Sequence, residues 1–177
     1  MKFLWSSHPF RKNKEKELIL GTLKSNFLFT SLTSSELSII EQLIHVRKYN
    51  VGEDVFHQNQ PGNGVYIIIN GRVCIEVEKD LVESKTGVQK KETAMLATLN
   101  GGDFFGERAL LEDDSIRGAT AKVMESSLII AFFKPDLLEL MKNRPAISSK
   151  ICYKLAQIMN QRLDEAAEEL SRLRFPK

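Results

Sequence analysis

The chain has 177 residues, 42% of them hydrophobic and 27% charged, and a formal net charge of +2. That length supports one domain with a helical appendage and a sizeable core, and the near-neutral balance implies neither nucleic acid nor membrane as a partner. No stretch approaches the length of a membrane span, and the apolar run after Lys2 is too short and too interrupted for a secretory signal.

Residues 1–25 form a basic segment: Lys2, Arg11, Lys12, Lys14, Lys16 and Lys24 face only Glu15 and Glu17. A short helix is predicted over Glu15–Lys24. Phe3, Leu4, Trp5 and Phe10 among these charges permit contact with an acidic membrane surface, although a solvated helix and tip is the preferred reading. Ser34 or Ser35 is placed to cap a second helix carrying Leu37, Ile40 and Leu43 on one face.

Nine of the ten glycines fall between Gly52 and Gly118, where apolar and polar residues alternate in short runs. Strands are predicted at Val55–His57, Val65–Ile69, Val73–Val77, Thr93–Leu99, Ala119–Met124 and Leu128–Phe133, with turns at Pro61-Gly62-Asn63-Gly64, Asn70-Gly71 and Gly101-Gly102. Short strands at this spacing argue for a barrel or jelly roll. A helix then starts at Lys134-Pro135-Asp136 and ends at Arg144-Pro145, and a long one follows from about Ala146 to about Leu173. The expected organisation is a basic start over 1–25, a β-roll with flanking helices over 26–145 and a C-terminal helix over 146–177. Cys74 and Cys152, far apart and without a Cys-x-x-Cys pattern, read as core thiols of a cytoplasmic protein.

The chemistry concentrates in Gly102-Asp103-Phe104-Phe105-Gly106-Glu107-Arg108-Ala109, with Arg117 ten residues after Glu107 and small residues Gly118 and Ala119 behind it. A strand stops at a glycine, turns into a short helix bearing a carboxylate and returns through an arginine. Amide donors at such a turn and a guanidinium fork both favour a phosphate. A carboxylate beside a phosphate needs a different partner, and a sugar hydroxyl that donates to it fits. The alternative for Arg117 is a surface ion pair with Glu112, Asp113 or Asp114. For Glu107 it is neutralisation of the local dipole or of Arg117 itself.

These residues resemble the phosphate-binding cassette of the cyclic nucleotide-binding domain family: Phe-Gly-Glu, a small apolar stretch, then Arg and small residues. The resemblance extends through Asn26-Phe27-Leu28-Phe29, Gly52-Glu53-Asp54-Val55-Phe56, Gly62-Asn63-Gly64-Val65-Tyr66-Ile67-Ile68 and the hairpin-like Asn70-Gly71-Arg72-Val73, and covers about Phe27 to Leu173. It implies a mainly β, α+β fold: an eight-stranded, jelly-roll-like β-roll flanked by N-terminal helices and a long C-terminal helix. It further implies a cyclic nucleotide ligand, cAMP ahead of cGMP, with Phe105, Gly106, Glu107, Arg108, Ala109, Arg117, Gly118 and Ala119 at its sugar-phosphate end. Glu107 would take the ribose 2'-hydroxyl and Arg117 the phosphate. Arg108 replaces the family's usual apolar residue and adds charge near the phosphate; Ile116 replaces a frequent proline.

Val73, Ile75, Leu96 and Leu99 are candidates for the wall around the base, with Leu163, Ala166 and Ala167 from the last helix. Ala166-Ala167 stand where catabolite-activator-like relatives carry hydroxyl residues that contact adenine, and methyl groups donate no hydrogen bonds. No catalytic arrangement, cofactor or metal site is expected. His8, His45 and His57 raise a cupin-like metal enzyme as a rival, but no His-x-His occurs. A second rival is an interaction module that keeps the fold and binds no nucleotide.

Ala156, Met159, Leu163, Ala166, Leu170 and Leu173 recur at alternating intervals of three and four, a seam suited to a homodimer. The last helix is therefore expected to serve as a lid over the ligand and as a dimerisation element. Only four residues follow Leu173, too few for a DNA-binding domain. Output is expected to pass through an effector protein, a dimer interface or a domain outside this chain.

Overall fold

A computed structural model describes residues 9–82 and 89–175. The basic tip, including Lys2, Phe3, Leu4, Trp5 and His8, lies outside the described residues. Helix α1 (Pro9–Ser25) begins earlier than the expected Glu15. A short 3-10 helix, Phe27–Phe29, leads to α2 (Ser34–Leu43). The cap of α2 is Thr33 rather than either serine: its Oγ1 accepts from the Glu36 amide at 3.3 Å, and Glu36 Oε2 accepts from the Thr33 amide at 2.7 Å. This reciprocal capping box satisfies two otherwise orphaned amides and contributes about 1 kcal/mol.

Six strands follow among the described residues: β1 (His45–Tyr49), β2 (Asp54–Phe56), β3 (Gly64–Val82), β4 (Gln89–Asn100), β5 (Phe104–Phe105) and β6 (Thr120–Phe133). They form one antiparallel sheet in the order β1-β6-β3-β4, with β2 also on β6 and β5 on β3. The expected mainly β roll with flanking helices is present, whereas the count of eight strands is corrected. Val65–Ile69 and Val73–Val77 are halves of one bent strand, because Asn70-Gly71 makes irregularities in the β3–β6 register and not a hairpin. Gly71 has φ of +97°, and a Cβ there would meet Ser127 Oγ at 2.2 Å, so the bend requires glycine. In the same way Ala119–Met124 and Leu128–Phe133 merge into β6.

Alternation along β3 divides the core between two layers. Val65, Ile67 and Ile69 pack with Leu28, Phe29, Ile40 and the C-terminal helices, while Ile68 and Val73 pack inside the roll with Tyr49, Phe105, Val123 and Ile129. Val73 is fully buried there. Helix α3 (Lys134–Asn143) and α4 (Pro145–Arg174) match the expected helices closely, each with proline at its start. On α4, Ile147, Ile151, Leu155 and Ile158 are buried, and every described residue after Met159 is exposed. One helix thus begins in the core and ends in solvent. No helix among the described residues is long and apolar enough to cross a membrane.

Candidate functional site

Strand β5 ends at Gly106, whose φ of +80° turns the chain into a four-residue 3-10 helix, Glu107–Leu110. The chain then loops through Ser115 and returns along the Gln60–Pro61 segment. The Arg117 amide donates to Gln60 O at 2.8 Å, Asn59 N donates to Arg117 O at 2.8 Å, and Gly62 N donates to Ser115 O at 2.7 Å. These bonds fix the backbone on both sides of the arginine, which is 5% exposed.

The Arg117 side chain occupies a seat made by glycines. Its Nη1 donates to Gly106 O at 3.1 Å and its Nη2 to Gly64 O at 2.9 Å. The guanidinium carbon lies 4.1 Å from the Phe56 ring centroid and 5.4 Å from that of Tyr66. A Cβ on Gly62 would stand 2.9 Å from Nε, and one on Gly106 would stand 2.5 Å from Nη1. Nε has no hydrogen-bond partner. Burial pulls the guanidinium below its ordinary pKa, opposed by the nearby Tyr66 and Glu107, and an arginine keeps its charge under such a shift. A desolvated cation with unspent donors favours an anion.

Glu107 is 8% exposed. Its ion-pair partner is Arg162 of α4, with Nε 3.6 Å from Oε1, and not Arg117. The expectation that Glu107 and Arg117 neutralise one another is corrected: the seat directs Arg117 to backbone carbonyls. Nor does Arg117 pair with the acidic run upstream. Both carboxylate oxygens of Glu112 accept from Arg108 Nη2 at 3.0 Å, and Asp113 pairs with Lys134.

A cavity of about 410 Å³ opens between these residues and the β3–β4 pair. Its lining includes Phe105, Gly106, Glu107, Arg108, Ala109, Arg117, Gly118 and Ala119, so every expected sugar-phosphate residue borders one space. Gly118 has nothing within 4 Å of a Cβ position; protein packing does not demand glycine there, and the room belongs to the cavity. Ile75, Leu96 and Leu99 line the other end. The remaining wall candidates do not line it. Val73 points into the core, and Leu163 is 67% exposed. Ala166 and Ala167 are exposed, because α4 has already left the roll one turn after Arg162.

Phe56, Ala97, Phe104, Ser115, Ile116 and Arg162 also line the cavity and were not anticipated. Arg162 had a legible signal. It continues the buried stripe of Ile151, Leu155 and Ile158 by a step of four, so a charge stands where the helix pattern calls for an apolar residue.

The histidines are dispersed. His57 Nδ1 lies 3.2 Å from Asp54 Oδ2, and the His45 ring lies against Phe133. No group of three His, Cys, Asp or Glu side chains suited to a metal occurs among the described residues. Cys74 and Cys152 are free thiols, both pushed up in pKa by burial.

Comparison with known proteins places this geometry. The model of the cyclic nucleotide-binding domain matches residues 46–144. A cyclic AMP receptor protein of Thermus thermophilus is 31% identical over 153 residues, which is 86% of this chain and 64% of that protein. The solved catabolite activator protein of Thermus thermophilus superposes with a TM-score of 0.69 at 29% identity, covering 84% of this chain and 63% of that one. A cyclic nucleotide-binding domain from Methylobacillus flagellatus gives 0.71 at 19% identity over 93% of this chain and 86% of its own, a likeness of fold. The chain spans less than two thirds of the length of the first curated relatives it matches. With its family model covering more than half of the sequence, the chain belongs to the cyclic nucleotide-binding domain family.

Proposed function

We propose that the cavity binds a 3',5'-cyclic mononucleotide, cAMP ahead of cGMP, and that α4 carries the signal of occupation. The observation that supports this most is the charge balance of the cavity lining. Arg108 is neutralised by Glu112 and Arg162 by Glu107, so Arg117 is the cavity-lining cation without a carboxylate partner among the described residues. One uncompensated buried cation suits one negative charge, and a cyclic phosphate diester carries one. Glu107, acceptor-only when ionised, suits the ribose 2'-hydroxyl. The order of cAMP before cGMP follows the cyclic AMP receptor protein named above.

In this reading the domain is a regulatory one without catalysis of its own. A ribose on Glu107 competes with Arg162, and loss or sharing of that ion pair alters the position of α4 as a lid. The exposed Leu163, Leu170 and Leu173 on the free half of α4 offer a face to a second copy or to an effector protein. A cytoplasmic setting agrees with the free thiols. The basic and aromatic residues of the N-terminal segment, among them Lys2, Trp5, Arg11 and Lys12, offer a further contact with an acidic membrane surface. A second reading, a ligand-free interaction module, draws on the fact that Arg117 and Glu107 both have protein partners in this structure.

Titration calorimetry of cAMP and cGMP into the folded chain separates the two. Heat from either nucleotide at one site per chain supports the sensor, and no heat from either overturns it. Arg162→Gln is expected to keep binding within about tenfold while abolishing the change in α4 amide exchange on ligand addition. An unchanged exchange response would overturn the role of Arg162.

A further inference from the structure

The end of the cavity away from Arg117 carries information about the base. Strands β3 and β4 pair Ile75 with Ala97 and Glu76 with Met95. Leu96 is therefore an extra residue opposite no partner, a β-bulge. Bulges re-aim a side chain and concentrate beside functional sites. Here the bulged residue lines the cavity while remaining 63% exposed, next to Met95, which is 66% exposed and does not line it. Ile75 and Leu99 lie beside it on the same wall.

The hydrogen-bonding side chains of the lining are distributed unequally. Among the described residues they are Glu107, Arg108, Ser115, Arg117 and Arg162. The first four belong to the Gly106–Ala119 segment, at the end assigned to sugar and phosphate, and Arg162 stands at that same end, 3.6 Å from Glu107 and also paired with Glu165 on its own helix. The apolar wall offers a base nothing that donates or accepts. Backbone groups freed by the bulge lie in the plane of the sheet, whereas side chains stand out from its face toward the cavity. Adenine, guanine, cytosine and uracil differ at their edges, but each presents a flat apolar face, which is what a leucine wall contacts.

We infer that this pocket recognises its ligand through sugar and phosphate and clamps the base under the bulged Leu96 without reading its edge. The ligand class is then the 3',5'-cyclic mononucleotides as a group, with purines ahead of pyrimidines only through their larger face. This inference rests on the sensor reading above and narrows it: the advantage of cAMP over cGMP is small.

Calorimetric titration of the full chain with cAMP, cGMP, cCMP and cUMP in one buffer tests it. All four are expected to bind, with dissociation constants spread over about tenfold or less. Leu96→Ala, at an exposed position that leaves the fold intact by circular dichroism and melting temperature, is expected to weaken all four in parallel by about fivefold. One nucleotide bound more than about a hundredfold tighter than the rest overturns base-blind recognition while leaving the sensor reading intact. So does a Leu96→Ala variant that loses affinity for one base alone or for none. If the folded chain binds none of the four, the sensor reading itself fails and this inference fails with it.

Discussion

Replacing Arg117 with methionine separates the demands of folding from those of binding. The arginine donates to Gly64 O and Gly106 O and lies on the Phe56 ring. Losing it takes that donor from Gly64 O, at about 1–3 kcal/mol, and from Gly106 O, which keeps the Ala109 amide at 3.2 Å, and removes a cation–π contact of about 1 kcal/mol. Against this stands the desolvation of a guanidinium that is 5% exposed and leaves Nε unpartnered, a penalty of several kcal/mol. Methionine fills much of the same volume without it. The two sides nearly offset, so the net change in unfolding free energy is expected to be within about 2 kcal/mol in either direction. Affinity has no such compensation. A buried anion loses its charged donor fork, at about 2–5 kcal/mol, which weakens binding by roughly thirtyfold to several thousandfold. Urea unfolding of the unliganded variant and calorimetry with cAMP measure the two quantities on one preparation. A large loss of stability with affinity unchanged would refute the assignment and leave Arg117 as a structural strut.

Gly62→Ala tests whether the seat matters as well as the residue in it. Gly62 has no positive φ, so alanine is tolerated by the backbone, yet its Cβ would crowd Nε at 2.9 Å and the Ala109 methyl at 3.1 Å. Displacing the guanidinium by a few tenths of an ångström is expected to reduce affinity by about tenfold, as read by calorimetry, with the fold retained. The pH dependence of stability has an identifiable contributor in Glu36, whose carboxylate takes Lys150 Nζ at 2.8 Å on both oxygens. That hydrogen bond, with the capping bonds to Thr33, holds its pKa below the ordinary value. A depressed pKa in the folded state stabilises above the unfolded value, near about 4.3, and the contribution fades as pH falls through the folded value. Glu36→Gln is expected to melt below the wild type at neutral pH, with the gap closing in acid; thermal melts in which the gap stays constant to about pH 3 would contradict this.

Much of the fold was legible because its signals are local. The glycine-rich alternating block, the prolines that open α3 and α4, and the ordered Phe105-Gly106-Glu107 to Arg117 series each depend on neighbours within a few residues. What was not legible depends on long-range register. Asn70-Gly71 carries turn chemistry, yet β6 pairs with both sides of it and converts the turn into a bend within β3. Strand β1 (His45–Tyr49) was missed because its burial shows no clean alternation: four of its five residues are exposed or half-buried, and it is held by pairing along β6. The wall candidates on α4 failed for a similar reason. The apolar spacing through Leu163 and Ala166 is real, but nothing local says where along the helix the roll ends. Gly62 and Gly106 were read as turn residues, and their second role, clearing space for an arginine distant in sequence, appears only when the loops meet.

On the proposed reading, the same register would give a ligand at this site leverage over the rest of the chain. The buried stripe of α4 ends at Ile158, and the next position on that stripe is Arg162, paired to Glu107 across the cavity mouth. Upstream, Ile147, Ile151 and Leu155 and the Lys150–Glu36 pair hold the helix against the body of the domain. Downstream, Leu163 to Arg174 extend about 18 Å with every residue exposed. Packing resists displacement in the first half and is absent from the second, so the last tie between the free half and the roll is one ion pair with a half-exposed arginine, a buried carboxylate and a long 3.6 Å separation, worth about 1 kcal/mol. A hydroxyl that donates to Glu107 competes with a tie of that size at little cost. Moving a fully packed helix would require breaking core contacts of several kcal/mol. On the proposed reading, a coupling charge at the boundary between the two halves would let a small ligand shift the orientation of a long helix without disturbing the core that holds its base.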